Sequence, residues 1–127
     1  MLDEDPDTIA HARQACALND PPIQLVVVQN SDEAMEWMAS VTAHNLPNLL
    51  LLDLNLPKLS GLAVLRRLRL DVLTKDLPVV VFSGVHEAAE VQQSYQVGAN
   101  SFVEKPLSVA DFRELLNTQI SYWLKPR

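Results

Sequence analysis

The chain has 127 residues, 48% of them hydrophobic, which suffices for one packed core and leaves no room for a second domain. Its net charge is -6, and its ten basic residues are scattered among sixteen acids, so it lacks the clustered Lys and Arg of a nucleic-acid surface. A single cysteine, Cys16, excludes an intramolecular disulfide, the apolar runs are too short for a membrane span, and the acidic start Met1-Leu2-Asp3-Glu4-Asp5 is unlike a signal peptide. The expectation is a cytoplasmic protein with no nucleic-acid and no membrane partner.

In chain order, the first apolar run is Ile23 to Val28, which reads as a strand buried on both faces. Asn30-Ser31-Asp32-Glu33 then forms a helix start, with Ala34, Met35, Met38 and Val41 at helical spacing. Leu49 to Leu52 is the next buried strand. It is followed by a helical segment in which Leu62, Leu65, Leu68 and Leu70 form the apolar stripe and Arg66, Arg67 and Arg69 face mostly outward. Val79 to Phe82 reads as a strand, Glu87 to Val97 as a helix ending at Gly98, and Ser101 to Val103 as a weaker strand near an edge. A last helix runs from a cap-like Ser108 to about Leu124, with Val109, Phe112, Leu115, Leu116 and Ile120 on one face.

Strands alternating with helices imply a parallel α/β sheet covered on both faces, with ligand chemistry at the carboxyl ends of the strands. Three loops deliver groups to that rim: Asp53 and Asn55 after Leu52, Ser83 and Gly84 after Phe82, Lys105 and Pro106 after Val103. The acids Asp3, Glu4 and Asp5 join them if the segment before Pro6 lies on the same edge. Carboxylates gathered this closely repel unless a cation lies between them, and hard oxygen ligands favour Mg2+. A carboxylate held there can attack a phosphoryl group, with Ser83 and Lys105 binding the transferred oxygens. Singly, each residue has an ordinary explanation: an Asp that forms a turn, a solvated lysine, a serine that caps a helix near His86. Their joint placement after successive strands carries the inference.

Along essentially its whole length the chain resembles the receiver domains of response regulators in two-component signalling. The residues that carry the resemblance are Leu50-Leu51-Leu52-Asp53-Leu54-Asn55-Leu56-Pro57 with Gly61, Val79-Val80-Val81-Phe82-Ser83-Gly84, and Gly98-Ala99-Asn100-Ser101-Phe102-Val103-Glu104-Lys105-Pro106. The resemblance implies a single receiver domain over 1–127 with a flavodoxin-like, doubly wound parallel five-stranded sheet, order 2-1-3-4-5, and five helices. It makes Asp53 the phosphoacceptor for a sensor histidine kinase, Ser83 the hydroxyl that follows the phosphoryl group, and Lys105 its pairing cation. Aligned from Pro6, Asp3 and Glu4 become the metal pair, with Asp53 and the Asn55 backbone carbonyl completing the Mg2+ ligands. Phe102 takes the aromatic switch position, although Phe has no polar tip to draw it outward. Such a protein is a signalling switch that assists its own phosphorylation and dephosphorylation, and is not an enzyme acting on a separate substrate.

A narrower resemblance, to the single-domain regulators that partner bacterial phytochrome kinases, rests on Asp76-Leu77-Pro78, on Ser94-Tyr95 ahead of Val97-Gly98-Ala99-Asn100, and on Tyr122-Trp123-Leu124. It implies phosphate relay or partner docking, with homodimerisation through the face of the fourth strand and fifth helix. The sequence departs from the family at its start, where only Met1-Leu2 precede the acids, so the central first strand is expected to be truncated, its earlier residues missing from the chain. Glu4 stands where the family prefers Asp. These departures keep open an alternative, a pseudo-receiver that binds or dimerises independently of phosphorylation. A hydrolase of the haloacid dehalogenase type is disfavoured, because the general-acid place two residues after Asp53 is Asn55.

Overall fold

The computed structural model describes residues 1–56, 59–84 and 88–124. Helix α1, Pro6–Leu18, starts where Asp5 accepts from the Asp7 N–H and Pro6 occupies the first position, whose N–H would have no partner in any helix. Asn30 caps α2, Ser31–Ser40, by accepting from the Glu33 N–H, as the sequence predicts. Strand β1, Leu50–Asp53, leads into a short hairpin, β2 Asn55–Leu56 and β3 Leu59–Ser60, and then into α3, Gly61–Leu70. Strand β4, Val79–Ser83, helix α4, Ala88–Val97, strand β5, Ser101–Glu104, and helix α5, Val109–Trp123, complete the order.

The sheet is parallel, β1-β4-β5, with Leu50 to Asp53 opposite Val79 to Phe82 and Val80 to Ser83 opposite Ser101 to Glu104. Beyond β1 it continues through single residues. Leu2 makes parallel bridges to Leu52 on one side and Val28 on the other, so the spatial order Val28, Leu2, β1, β4, β5 is the expected 2-1-3-4-5. The fold is the flavodoxin-like one, but among the described residues three of the five expected strands of this sheet form as strands. Ile23 to Val28 is a correction: it forms no strand and is not buried on both faces, with Val28 bridged and Val26 exposed. Among the described residues its one bridge is that of Val28 to Leu2, so most of the run has no strand to pair with.

Alternate residues of β1 and β4 pack into two cores. Leu50, Leu52, Val79 and Val81 meet Val64, Leu65 and Leu68 of α3 and Ala34 of α2 on one face. Leu51, Val80 and Phe82 meet Ala12 and Cys16 of α1 and Phe112, Leu116 and Ile120 of α5 on the other. Each fully buried leucine contributes about 1.5–3 kcal/mol. On α3 the buried stripe is Val64, Leu65 and Leu68, while Leu70 is 87% exposed, so the helix is rotated from the leucine stripe expected. Arg69 is a second correction. Its guanidinium turns inward to donate to the carbonyls of Gly98 and Thr74 and to Asn100 Oδ1, which also accepts from the Val79 N–H. That network ties α3 to the turn after α4 and to the start of β4. Gly98 there has φ +120, a conformation glycine tolerates. The start of the helix predicted at Glu87 lies outside the described residues, as do Pro57 and His86.

Candidate functional site

The strand register fixes the rim. Asp53 ends β1, Ser83 ends β4 and Lys105 follows β5, and because the strands are parallel all three emerge at the same edge. Backbone bonds hold each in place: the Asp53 N–H donates to the Leu2 carbonyl at 2.9 Å, and the Lys105 N–H to the Ser83 carbonyl at 2.9 Å. Asp3 arrives from the other side of β1 as the residue after Leu2, its N–H donating to the Val28 carbonyl at 3.1 Å.

Two carboxylates converge on one ammonium. Lys105 Nζ lies 2.8 Å from Asp3 Oδ2 and 3.4 Å from Asp53 Oδ2. The remaining oxygens are held by backbone: Asp3 Oδ1 accepts from the Asp5 N–H at 2.9 Å and Asp53 Oδ1 from the Asn55 N–H at 3.0 Å. Asp3 is 1% exposed and Ser83 0%. Asn55 Nδ2 donates to the Ser83 hydroxyl at 3.4 Å, which links the β1 and β4 ends of the rim.

Burial pulls the Lys105 pKa down, but its hydrogen bond to Asp3 and the charges of Asp3 and Asp53 outweigh this and hold it above the ordinary lysine value. Burial raises the Asp3 pKa, opposed by the Lys105 hydrogen bond and the Asp5 N–H. Both pKa values are raised: for Asp3 because burial penalises the carboxylate, for Lys105 because the two carboxylates favour its ammonium. The net arrangement is a charged lysine between two carboxylates, the form in which each group costs least when taken out of water.

Of the residues predicted for this site, Asp3, Asp53, Asn55, Ser83 and Lys105 are brought together. Glu4 is not: it is exposed and makes no hydrogen bond or ion pair among the described residues, while Asp5 is used as the α1 cap. Asp3 is buried at the rim, whereas Glu4 beside it is exposed. Phe102 is half-buried against the α3-side core, and its N–H donates to the Tyr95 hydroxyl at 3.0 Å. Among the described residues no three acids, histidines or cysteines cluster as a metal site. The donors that do fit a hard cation are Asp3, Asp53 and the Asn55 carbonyl. The Lys105 ammonium, bonded to both carboxylates, marks the place as one already built for positive charge.

Two contributions were not read from the sequence as parts of the site. Leu2 supplies the carbonyl that anchors Asp53. At Gly61 a Cβ would lie 2.6 Å from the Asp53 carbonyl oxygen and 2.6 Å from Leu54 Cα, so the glycine permits close approach of α3 to the Asp53 loop. Of the described histidines, His11 lies 5.6 Å from the Phe112 ring and His44 is exposed.

The sequence profile of the response regulator receiver domain matches residues 1–117. The chain belongs to the response regulator receiver domain family. Receiver domains are the switch modules of two-component signalling, and this receiver is similar to Response regulator Rcp1 of Synechocystis sp., 30% identical over 105 residues, which cover 80% of this chain and 71% of that protein. It also resembles the crystal structure of the phosphorylated cyanobacterial phytochrome response regulator RcpA, with TM-score 0.88 and 30% identity over 98% of this chain and 91% of that one. The Mn2+-bound form of Rcp1 superposes with TM-score 0.87 and 26% identity over 99% of this chain and 94% of that one. No described helix of this receiver is long and apolar enough to cross a membrane.

Proposed function

We propose that this receiver is a working phosphoacceptor: Asp53 takes a phosphoryl group from the phosphohistidine of a sensor kinase, and the altered rim changes which partner the domain binds. The observation that carries this reading is the convergence of Asp3 and Asp53 on Lys105, beside a buried Ser83, at the carboxyl edge of the sheet. Asp53 Oδ1 accepts from the Asn55 N–H, and Oδ2, which faces Lys105 Nζ at 3.4 Å on the rim, is the attacking atom. The Oδ2–P bond forms as the P–N bond to the donor imidazole breaks, and the imidazole leaves with the electron pair and takes a proton from solvent. Lys105 Nζ then exchanges a carboxylate oxygen for a phosphoryl oxygen, and the Ser83 hydroxyl donates to another.

Asp3, Asp53 and the Asn55 carbonyl would hold a divalent ion, Mg2+ in the cell, which when bound neutralises the charge gathering on the phosphoryl oxygens. Glu4 is left to act from outside the direct ligand set. Phe102, already half-buried, is the aromatic that responds to Ser83 movement, and the same rim assists hydrolysis of the acyl phosphate. A phytochrome-type kinase is the proposed donor because the similar protein RcpA is a cyanobacterial phytochrome response regulator, and a cytoplasmic setting suits such a kinase. The exposed Val109 and Tyr122 support a homodimer through α5, while β4 itself is buried. A pseudo-receiver would not need the buried acids, lysine and serine to be kept in mutual contact, so the phosphoacceptor reading is preferred.

The test is the chemistry of the linkage. After incubation with acetyl phosphate and Mg2+, the peptide containing Asp53 should carry a modification removed by hydroxylamine, as an acyl phosphate is. A hydroxylamine-stable modification, or one on another peptide, would contradict the assignment.

A further inference from the structure

Helices α2 and α3 cover the same face of the sheet, where Ala34 of the first shares a core with Val64, Leu65 and Leu68 of the second. Both start near the carboxyl edge, α2 shortly after Val28 and α3 where the Gly61 N–H donates to the Leu54 carbonyl, so they run the same way. Their outward faces carry opposite charge. Asp32, Met35 and Glu36 are exposed on α2, and Arg66, Arg67 and Leu70 on α3. The side chains of Asp32, Glu36, Arg66 and Arg67 make no ion pair or hydrogen bond among the described residues. Glu36 and Arg66 are each the sixth residue of their helix, so these charges stand at similar heights.

The apolar groups beside the arginines are held still. Leu70 is 87% exposed and Val72 81%, on a turn closed by the Leu73 N–H donating to Asp71 Oδ1 at 2.9 Å and by the Thr74 hydroxyl donating to the Leu68 carbonyl at 2.6 Å. Arg69 fixes the same turn by donating to the Thr74 carbonyl. Large apolar side chains shown on a fixed turn lose little freedom when they dock. Basic residues also gather here, in a chain of net charge -6: Arg66, Arg67, Arg69 and Lys75 are four of its ten. Of the acids nearby, Asp71 closes the turn and the charge of Asp76 acts on the inward Arg69.

We propose that this face pairs with the same face of a second copy, α2 of each protomer lying along α3 of the other about a two-fold axis parallel to the helices. The axis repeats every contact, so Asp32 and Glu36 meet Arg66 and Arg67 twice, and Met35 and Leu70 leave water in the same contact. A second copy is the occupant because it carries both halves of the complement, acids for these bases and bases for these acids, on helices of matching direction. Two acidic chains repel at a distance, and the paired charges offset that repulsion at the contact. Helix α5 packs on the opposite face of the sheet, so association here is independent of association through α5.

The test is sedimentation of the full chain carrying Val109→Ser and Tyr122→Ser, which removes the exposed side chains of α5 from the reading. A monomer–dimer equilibrium is expected, weakening at least about ten-fold between about 50 mM and about 500 mM salt. In that chain, Arg66→Glu with Arg67→Glu turns the α3 side acidic, and Asp32→Arg with Glu36→Arg turns the α2 side basic. Each variant should be monomeric alone, and an equimolar mixture should form a dimer with one copy of each. Both variants keep a net negative charge, so overall attraction does not draw the mixture together. All the changed side chains are exposed, which leaves the core intact. A chain that stays monomeric at every concentration, a dimer that neither variant weakens, or a mixture that stays monomeric would overturn the proposal.

Discussion

The Asp53 N–H donates to the Leu2 carbonyl at 2.9 Å, so the proposed acceptor hangs by its backbone from the second residue of the chain. Leu2 is also 1% exposed and packs with Val28 and Leu52. Leu2→Ala is therefore expected to cost about 2–5 kcal/mol in urea unfolding and to slow phosphoryl uptake at Asp53. Leu18→Ala, on an exposed residue, should change stability by less than about 0.5 kcal/mol.

Lys105 separates two carboxylates that would otherwise face each other. Lys105→Met is expected to destabilise the protein by about 1–3 kcal/mol, because Asp3 is left buried without its partner. Adding Asp3→Asn to that variant should recover part of the loss, since the remaining strain is the unpaired charge and not the missing lysine. Unfolding of the two single variants and the double variant measures the coupling. Strict additivity would argue against the shared site.

Gly61 and Gly84 separate steric need from mere glycine content. A Cβ at Gly61 meets backbone of Asp53 and Leu54, which cannot swing aside, whereas one at Gly84 meets nothing within 4 Å. Gly61→Ala should lower stability by about 1–3 kcal/mol and shift the amide resonances of Asp53 and Asn55. Gly84→Ala should leave those resonances in place.

Stability should fall as the solution turns alkaline. Burial holds the Cys16 thiol above its ordinary value of 9.0, opposed by the Met1 ammonium, which is itself lowered to about 6 by burial and so is neutral at such pH. Between the unfolded and folded values the unfolded chain binds fewer protons, and stability declines with rising pH. Lys105, also held above its ordinary value, adds a loss of the same sign above pH 10.5. Thermal unfolding across this range should show a shallower decline from pH 9.0 for Cys16→Ala than for wild type.

Strands β1 and β4 were legible because each is an unbroken apolar run buried on both faces, and α2 and α5 because Asn30 and Ser108 cap them. Helix α1 was not read from its residues, since its buried face is built largely from small side chains, Ala12, Ala15 and Cys16, that make no strong stripe. The start Asp5-Pro6 was the signal available. Ile23 to Val28 has the composition of a buried strand but lacks a partner along most of its length, and pairing is a non-local property that composition does not encode. Arg69 was read as outward for the same reason: its Gly98 acceptor lies 29 residues away. At the rim the residue types located Asp53, Ser83 and Lys105. Telling Asp3 from Glu4 required knowing which of the two is buried, a property of the packing around Leu2.

The central claim is that Asp53 accepts a phosphoryl group. The most direct measurement is the intact mass of wild type and Asp53→Asn after incubation with acetyl phosphate and Mg2+. One added phosphoryl group on wild type and none on the variant is the expected result. A folded wild type that gains no phosphoryl mass, or a variant that gains as much as wild type, would contradict it.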